Sequence, residues 1–241
     1  MRDLGKVCVQ IPARAGSKRV KAKNLRLIDG LPMLQYGVEA ALEAAVGDVY
    51  VNSDSDEMLA LGQSLGAKAY RRPAEWASDE ATGDEFTYDF LKNVPQRVDT
   101  LIMVSPVCPL VTATDITNAM RAFEQSDCDT LISCDASQMQ VFCDSRPVNI
   151  RTDEALRPSQ ENAVVHTLNW AVTIWEAADF IVNYESDGYA YLGRNRLLHE
   201  IPKLHTFKVS EEADFDLVST LIESRNNISA EKIAPKYWSS K

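Results

Sequence analysis

Apolar positions along the chain change period again and again, from short unbroken runs to stripes three and four residues apart. Val7-Cys8-Val9 reads as a buried first strand. Leu34, Val38, Ala41, Leu42 and Ala45 then share one helical face, which Gly47-Asp48 closes. Val49-Tyr50-Val51 is a short second strand, and Ser55 stands where it caps a helix carrying Met58, Leu61 and Leu65 inward. Ala67 to Tyr70 suits a third strand, and Asp84 to Asn93 a helix through Phe86, Phe90 and Leu91. Leu101 to Val104 is a buried strand, and Ser105-Pro106-Val107-Cys108-Pro109 has to be loop. Ile116, Ala119, Met120 and Phe123 mark a helix, and Thr130 to Ser133 a strand. This alternation predicts an α/β chain: a mostly parallel sheet with helices on both faces.

From Asp135 to Glu161 no period is sustained, and a structureless loop of that length is uncommon inside a compact domain. The segment is expected to be a protruding β arm whose Val141, Phe142 and Val148 need cover from a second copy of the chain. Leu168 to Trp175 returns as a core strand, Glu176 to Tyr184 as a short helix, and Phe215, Val218, Leu221 and Ile222 stripe a last helix. The tail from Asn226 is polar and expected to be peripheral. The whole, residues 1–241, suits one domain with residues 135–161 as its arm.

Charge changes the picture more than composition does. The 45% apolar and 25% charged residues are ordinary globular values, and no apolar run approaches a membrane span. The net charge is −10, yet no Asp or Glu occurs between Leu4 and Ile28, where Arg14, Lys18, Arg19, Lys21, Lys23 and Arg26 crowd together. A basic island in an acidic chain implies one local anion, not nucleic acid or a membrane. The N-terminus lacks a signal peptide's apolar core, and five cysteines form no Cys-x-x-Cys pair, so a reduced, cytoplasmic protein is expected. The three histidines have no metal-ligand spacing.

The island follows the first strand, where open α/β sheets place their ligands. Ala15-Gly16-Ser17 is small enough for backbone N–H groups to converge on phosphate oxygens. Arg14 offers a planar fork and Lys18 a movable point charge. The pattern is not the two-glycine Lys-Ser/Thr phosphate loop. Instead Arg14-x-Gly16-Ser17-Lys18-x4-Lys23-Asn24 resembles the signature of the acylneuraminate (CMP-sialic acid synthetase) cytidylyltransferases, from about Val7 to Leu221. The resemblance implies a Rossmann-like nucleotide-diphospho-sugar transferase fold. It also implies CTP and a sialic-acid-like or related 3-deoxy sugar acid as substrates, and a homodimer paired through the arm.

By the same resemblance Ala13, Arg14, Ser17, Lys18 and Lys23 meet the triphosphate, with Arg14 and Lys18 catalytic, and Asn24 meets the ribose. Arg71-Arg72-Pro73 to Gly83 resembles the family's Arg-Pro-x-x-Leu-Ala-x-Asp segment. It puts Arg72 toward the nucleotide and the backbone of Ala81 to Gly83 against the base. Ser105-Pro106-Val107-Cys108-Pro109-Leu110 keeps the family's proline frame but has Ser105 for its Gln. Arg157, His166 and Asn169 are further candidates to meet the sugar acid. Lys208 and Ser210 stand where the family carries two metal-holding aspartates, so the protein's metal ligands are unassigned. Mg²⁺ is then expected to be held mainly by the nucleotide. Two readings follow: a sugar-acid cytidylyltransferase, or a nucleotide-binding relative that has lost catalysis.

Overall fold

In a computed structural model, which describes residues 2–227, β1 (Val7–Pro12) leads into a loop and a small hairpin of β2 (Leu27–Ile28) and β3 (Leu31–Pro32). There follow α1 (Met33–Ala44), β4 (Asp48–Ser53), α2 (Asp56–Ser64), β5 (Lys68–Arg71), α3 (Gly83–Asn93), β6 (Thr100–Val104), α4 (Ala113–Glu124) and β7 (Thr130–Ser137). The segment expected to be an arm begins inside β7, which keeps residues 135–137, and beyond it holds a second small hairpin, β8 (Phe142–Cys143) with β9 (Arg146–Pro147). The chain ends with β10 (Val165–Glu176), α5 (Ala177–Asp187), β11 (Arg196–Glu200) and α6 (Glu212–Asn227).

Seven strands make one sheet in the order β11-β7-β10-β6-β1-β4-β5, in which β10 alone runs against its neighbours. The mostly parallel α/β sheet is thus as the periodicity predicts. Alternation along the strands builds a core on each face. Val9 and Ile11 of β1 join Leu34, Val38, Ile116 and Phe123 of α1 and α4 on one side. Cys8 joins Phe90, Trp175 and Phe180 on the other. Trp175 and Phe90 are fully buried, and each contributes about 1.5–3 kcal/mol by leaving water.

Local chemistry sets the helix ends. Ser55 accepts from Met58 N (3.4 Å), the expected cap of α2. Thr82 and Glu85 form a capping box at the start of α3. The close of α1 differs from expectation, because Ala45 takes the left-handed conformation at φ 52°. Gly47 has another use: a Cβ there would strike the Val7 carbonyl where β4 joins β1. The strand β11 was not foreseen. The polar tail beyond residue 227 lies outside the described residues.

Asp48, at the start of β4, receives Lys6 (2.7 Å) and Lys68 (3.1 Å). Their hydrogen bonds pull its carboxyl from the usual 3.8 to about 2. A depressed folded pKa stabilises above about pH 4, and that share is lost as the pH falls toward 2. Asp48→Asn should therefore cost about 1 kcal/mol at pH 7, both lysines being half exposed. Paired urea titrations at pH 7 and below 3 should show the gap closing with acid.

Candidate functional site

The loop after β1 is held open by its neighbours. Ala13 is fully buried and its N–H donates to Asn52 O (3.0 Å), which continues the line of β1 along β4. Ala15 N–H donates to Asp54 Oδ1 (2.9 Å), and Asn24 Nδ2 reaches back to Arg14 O (3.3 Å). Among the described residues the Gly16 and Ser17 N–H groups find no protein acceptor, and nothing lies within 4 Å of where a Gly16 Cβ would be. The backbone there faces open space and presents donors to it.

That space is a cleft of about 410 Å³, floored by Pro12 and Arg72 and walled by Pro106 and Val107 after β6. Arg14, Gly16, Ser17, Lys18, Arg19, Lys23, Asn24, Asp79 and Phe86 complete it. It sits beyond the carboxyl ends of β1 and β6, where successive connections leave the sheet in opposite directions.

Five cations meet in this cleft with one carboxylate. Asp79 takes Arg14 Nη1 at 2.8 Å and Lys18 Nζ on its other oxygen, and those two partners, Lys18 first, hold its carboxyl below the usual range. Arg14 also donates to Ser78 O (2.9 Å). Arg72 is 4% exposed and lies over the Phe86 ring, donating from Nε to Asn52 Oδ1 (2.8 Å) and from Nη2 to Asn52 O (3.0 Å). Burial lowers its pKa to about 10, which still leaves it charged at neutral pH. Lys23 donates to Val209 O (2.9 Å); burial first, then Arg19, Lys208 and Arg14, lower its pKa. A crowd of cations that depress one another is electrostatically incomplete without an anion.

Of the residues singled out from sequence, Arg14, Ser17, Lys18, Lys23, Asn24 and Arg72 line this one cleft. Asn24 is 6% exposed with Oδ1 buried and unpartnered, so its side chain has an acceptor to spare. Ala13, Ala81 and Gly83 stand outside the lining. Ala81 N–H is taken by Ser78 Oγ (3.1 Å), and a Cβ on Gly83 would meet the Tyr191 ring. Of the sugar-acid candidates, Arg157 is drawn to Glu154 within the arm and His166 stands 3.7 Å from Glu200. Sequence reading missed Asp79 as the partner of Arg14 and Lys18; its signal was the acid in the Arg72-to-Gly83 segment.

No group of three or more metal-binding side chains occurs among the described residues. Near Lys208 and Ser210 two acids have partners: Asp214 Oδ2 accepts from Ser210 N (2.8 Å) and Glu211 N (3.0 Å), and Glu212 pairs with Arg26.

A doubly wound sheet with an acid-free basic loop at its switch point defines an α/β protein equipped to receive an anionic ligand at the carboxyl edge. The chain belongs to the cytidylyltransferase family, which it matches over residues 8–231. It is 25% identical over 231 residues to the N-acylneuraminate cytidylyltransferase of Escherichia coli O18:K1:H7, covering 92% of this chain and 53% of that one. This chain thus spans about half the length of that relative. It is also 25% identical over 236 residues to the post-translational flagellin modification protein B of Campylobacter coli, covering 92% of this chain and 97% of that one. Among solved structures, CMP:2-keto-3-deoxy-manno-octonic acid synthetase complexed with CTP superposes with a TM-score of 0.70 at 20% identity. That likeness covers 92% of this chain and all of the other. The 4-diphosphocytidyl-2C-methyl-D-erythritol synthase of Anaerococcus prevotii shares the fold at TM-score 0.67 and 11% identity. No described helix is long and apolar enough to cross a membrane.

Proposed function

We propose that the protein transfers cytidylyl from CTP to a sialic-acid-like or related 3-deoxy sugar acid, giving the CMP-sugar and pyrophosphate for surface glycan synthesis. One observation carries this reading: Arg14 and Lys18 converge on a single carboxylate, in a cleft whose loop amides face open space. A triphosphate replaces Asp79 there. The sugar's anomeric hydroxyl attacks the α-phosphorus, the new O–P bond forms as the bond to pyrophosphate breaks, and the hydroxyl proton leaves to solvent. Arg14 and Lys18 stabilise the charge gathering on the departing pyrophosphate, and Arg72 and Asn24 orient the nucleoside. Any Mg²⁺ then arrives mainly on the triphosphate, a reading that the engagement of Asp214 and Glu212 supports. CTP is spent in the cytoplasm, and that is where we place the protein. Pyrophosphate release from CTP with N-acetylneuraminic acid and with 2-keto-3-deoxy-manno-octonic acid tests the proposal. Release with at least one acid supports it. CTP binding with no release would favour the second reading, a non-catalytic relative, for which the Lys208 and Ser210 replacements speak.

Asp79 then competes with the substrate. Asp79→Asn should raise CTP affinity about three- to tenfold, because both cations are released to the phosphates. Isothermal titration against wild type reads this, and a weakened affinity would make Asp79 part of the bound complex.

The arm is proposed to pair two copies. Met139 is 69% exposed, Phe142 54%, Val148 53% and Leu156 68%, a concentration of bare apolar side chains on one projection. Light scattering should give twice the chain mass, and Phe142→Asp should return it to a monomer.

A further inference from the structure

β10 is irregular where it passes the carboxyl edge. Its pairing with β7 breaks between Leu168 and Thr173, and Trp170 in the gap has φ 59°, a conformation that a bulky residue adopts only when its surroundings impose it. Side chains replace the missing ladder. Asn169 is 8% exposed, and its Oδ1 accepts from Ser133 Oγ (2.6 Å) and from Ala171 N (3.1 Å). Ser133 Oγ in turn accepts from Val172 N (3.0 Å).

The remaining Asn169 group points at Asp135, near the carboxyl end of β7. Asn169 Nδ2 donates to Asp135 Oδ1 (3.1 Å), and the Thr206 hydroxyl lies 2.9 Å from the same oxygen. Thr206 has a neutral alternative in Lys203 O at 3.1 Å, but a carboxylate is the stronger acceptor. Asp135 is half buried, and its Oδ2 accepts no hydrogen bond from the described residues. One oxygen is thus clamped twice while the other stays open. Bulges that re-aim a side chain in this way recur beside active sites.

Asp135 lines a pocket with Glu200, Ile201, Pro202 and Lys203 at the carboxyl edge. Along the carboxyl edge the order is Arg71, Asn52, Pro12, Val104, Ala171, Asp135 and Glu200, one position from each strand in turn. The nucleotide cleft runs from Arg72 after β5 and Pro12 of β1 to Pro106 and Val107 after β6. A second substrate reaching the α-phosphate therefore lies over β6, β10 and β7. The loop after β6 carries both signs of charge at its flanks. Cys108 Sγ donates to Thr206 O (3.7 Å), and Val107 O beside it accepts from Val209 N (2.8 Å), the residue whose carbonyl anchors Lys23. The charges of Lys208, Lys23 and Asp135 all reach the thiol. A cationic end and an acceptor end flank one seat, which suits an acid bearing hydroxyls.

We propose that Asp135, positioned by Asn169 and Thr206, is a specificity-determining residue that accepts a hydrogen bond from a hydroxyl of the acceptor sugar acid. This rests on the reading that CTP occupies the Arg14 loop. The sugar's carboxylate then turns toward Lys208 and Lys23, and its hydroxylated portion toward Asp135.

Asp135→Asn keeps shape and clamp but puts an N–H₂ donor where Oδ2 was. With N-acetylneuraminic acid and 2-keto-3-deoxy-manno-octonic acid as acceptors, the acceptor KM should rise about ten- to a hundredfold. The kcat at saturation and the CTP dissociation constant should stay within about threefold. Thr206→Val, which removes one clamp, should raise the acceptor KM about threefold with the same split. If Asp135→Asn does not fold, Thr206→Val decides alone. Unchanged acceptor KM in the decisive variant overturns the proposal, as does a fall in kcat or CTP affinity in its place. CTP bound by wild type without consumption of either acid also counts against it. Failure of wild type to bind CTP instead removes the functional reading beneath it.

Discussion

Arg14→Ala is expected to weaken CTP binding about ten- to a hundredfold. The guanidinium is about one-third exposed and its partners are Asp79 and the Ser78 carbonyl, so its removal should change the unfolding free energy by less than about 0.5 kcal/mol. What is lost is a charge-assisted contact to phosphate, roughly 1.5–3 kcal/mol before the resting pair with Asp79 is subtracted. Lys18→Ala should cost less, since a 78% exposed ammonium is well screened and mobile. Calorimetric titration of CTP into each variant, with a melting curve beside it, checks both points. Wild-type affinity in Arg14→Ala would remove the loop from the phosphate site.

The second large effect concerns Lys208 and Ser210. Lys208 lies close enough to Lys23 to depress its titration, and Lys23 is anchored to Val209 between the two replaced positions. Lys208→Asp with Ser210→Asp exchanges a cation near Lys23 for two carboxylates. Without metal, CTP affinity should fall about tenfold, since a charge beside the cleft's Lys23 is reversed. Lys23 should titrate higher, having lost a like charge and gained an opposite one. With Mg²⁺, half-maximal rate should come at a lower metal concentration, because the protein then offers hard oxygen ligands of its own. Initial rates across a Mg²⁺ series in both proteins read the change. Identical metal dependence would place this segment outside the site.

The residues that announced themselves in the sequence did so through period or charge. β1, β4 and β6 are buried on both faces and read as plain apolar runs, and the basic island needed only the absence of acids around it. β11 escaped because Arg196-Leu-Leu-His-Glu is an edge strand five residues long, too short and too polar to sustain a pattern. β10 was visible as a strand, but neither its direction nor its bulge was, since both depend on Ser133 and Asp135 more than thirty residues away. The Arg14–Asp79 pair failed for the same reason: a salt bridge across 65 positions leaves no local trace. Arg72 was legible only through resemblance, because a buried arginine shows itself only beside the Asn52 and Phe86 that hold it.

The most direct measurement is a structure of the protein with CTP bound. The account predicts the triphosphate on the Gly16 and Ser17 amides with Arg14 and Lys18 around it, Asp79 drawn off both cations, and the ribose at Asn24. A nucleotide bound elsewhere, with Asp79 still closing on Arg14 and Lys18, would contradict it.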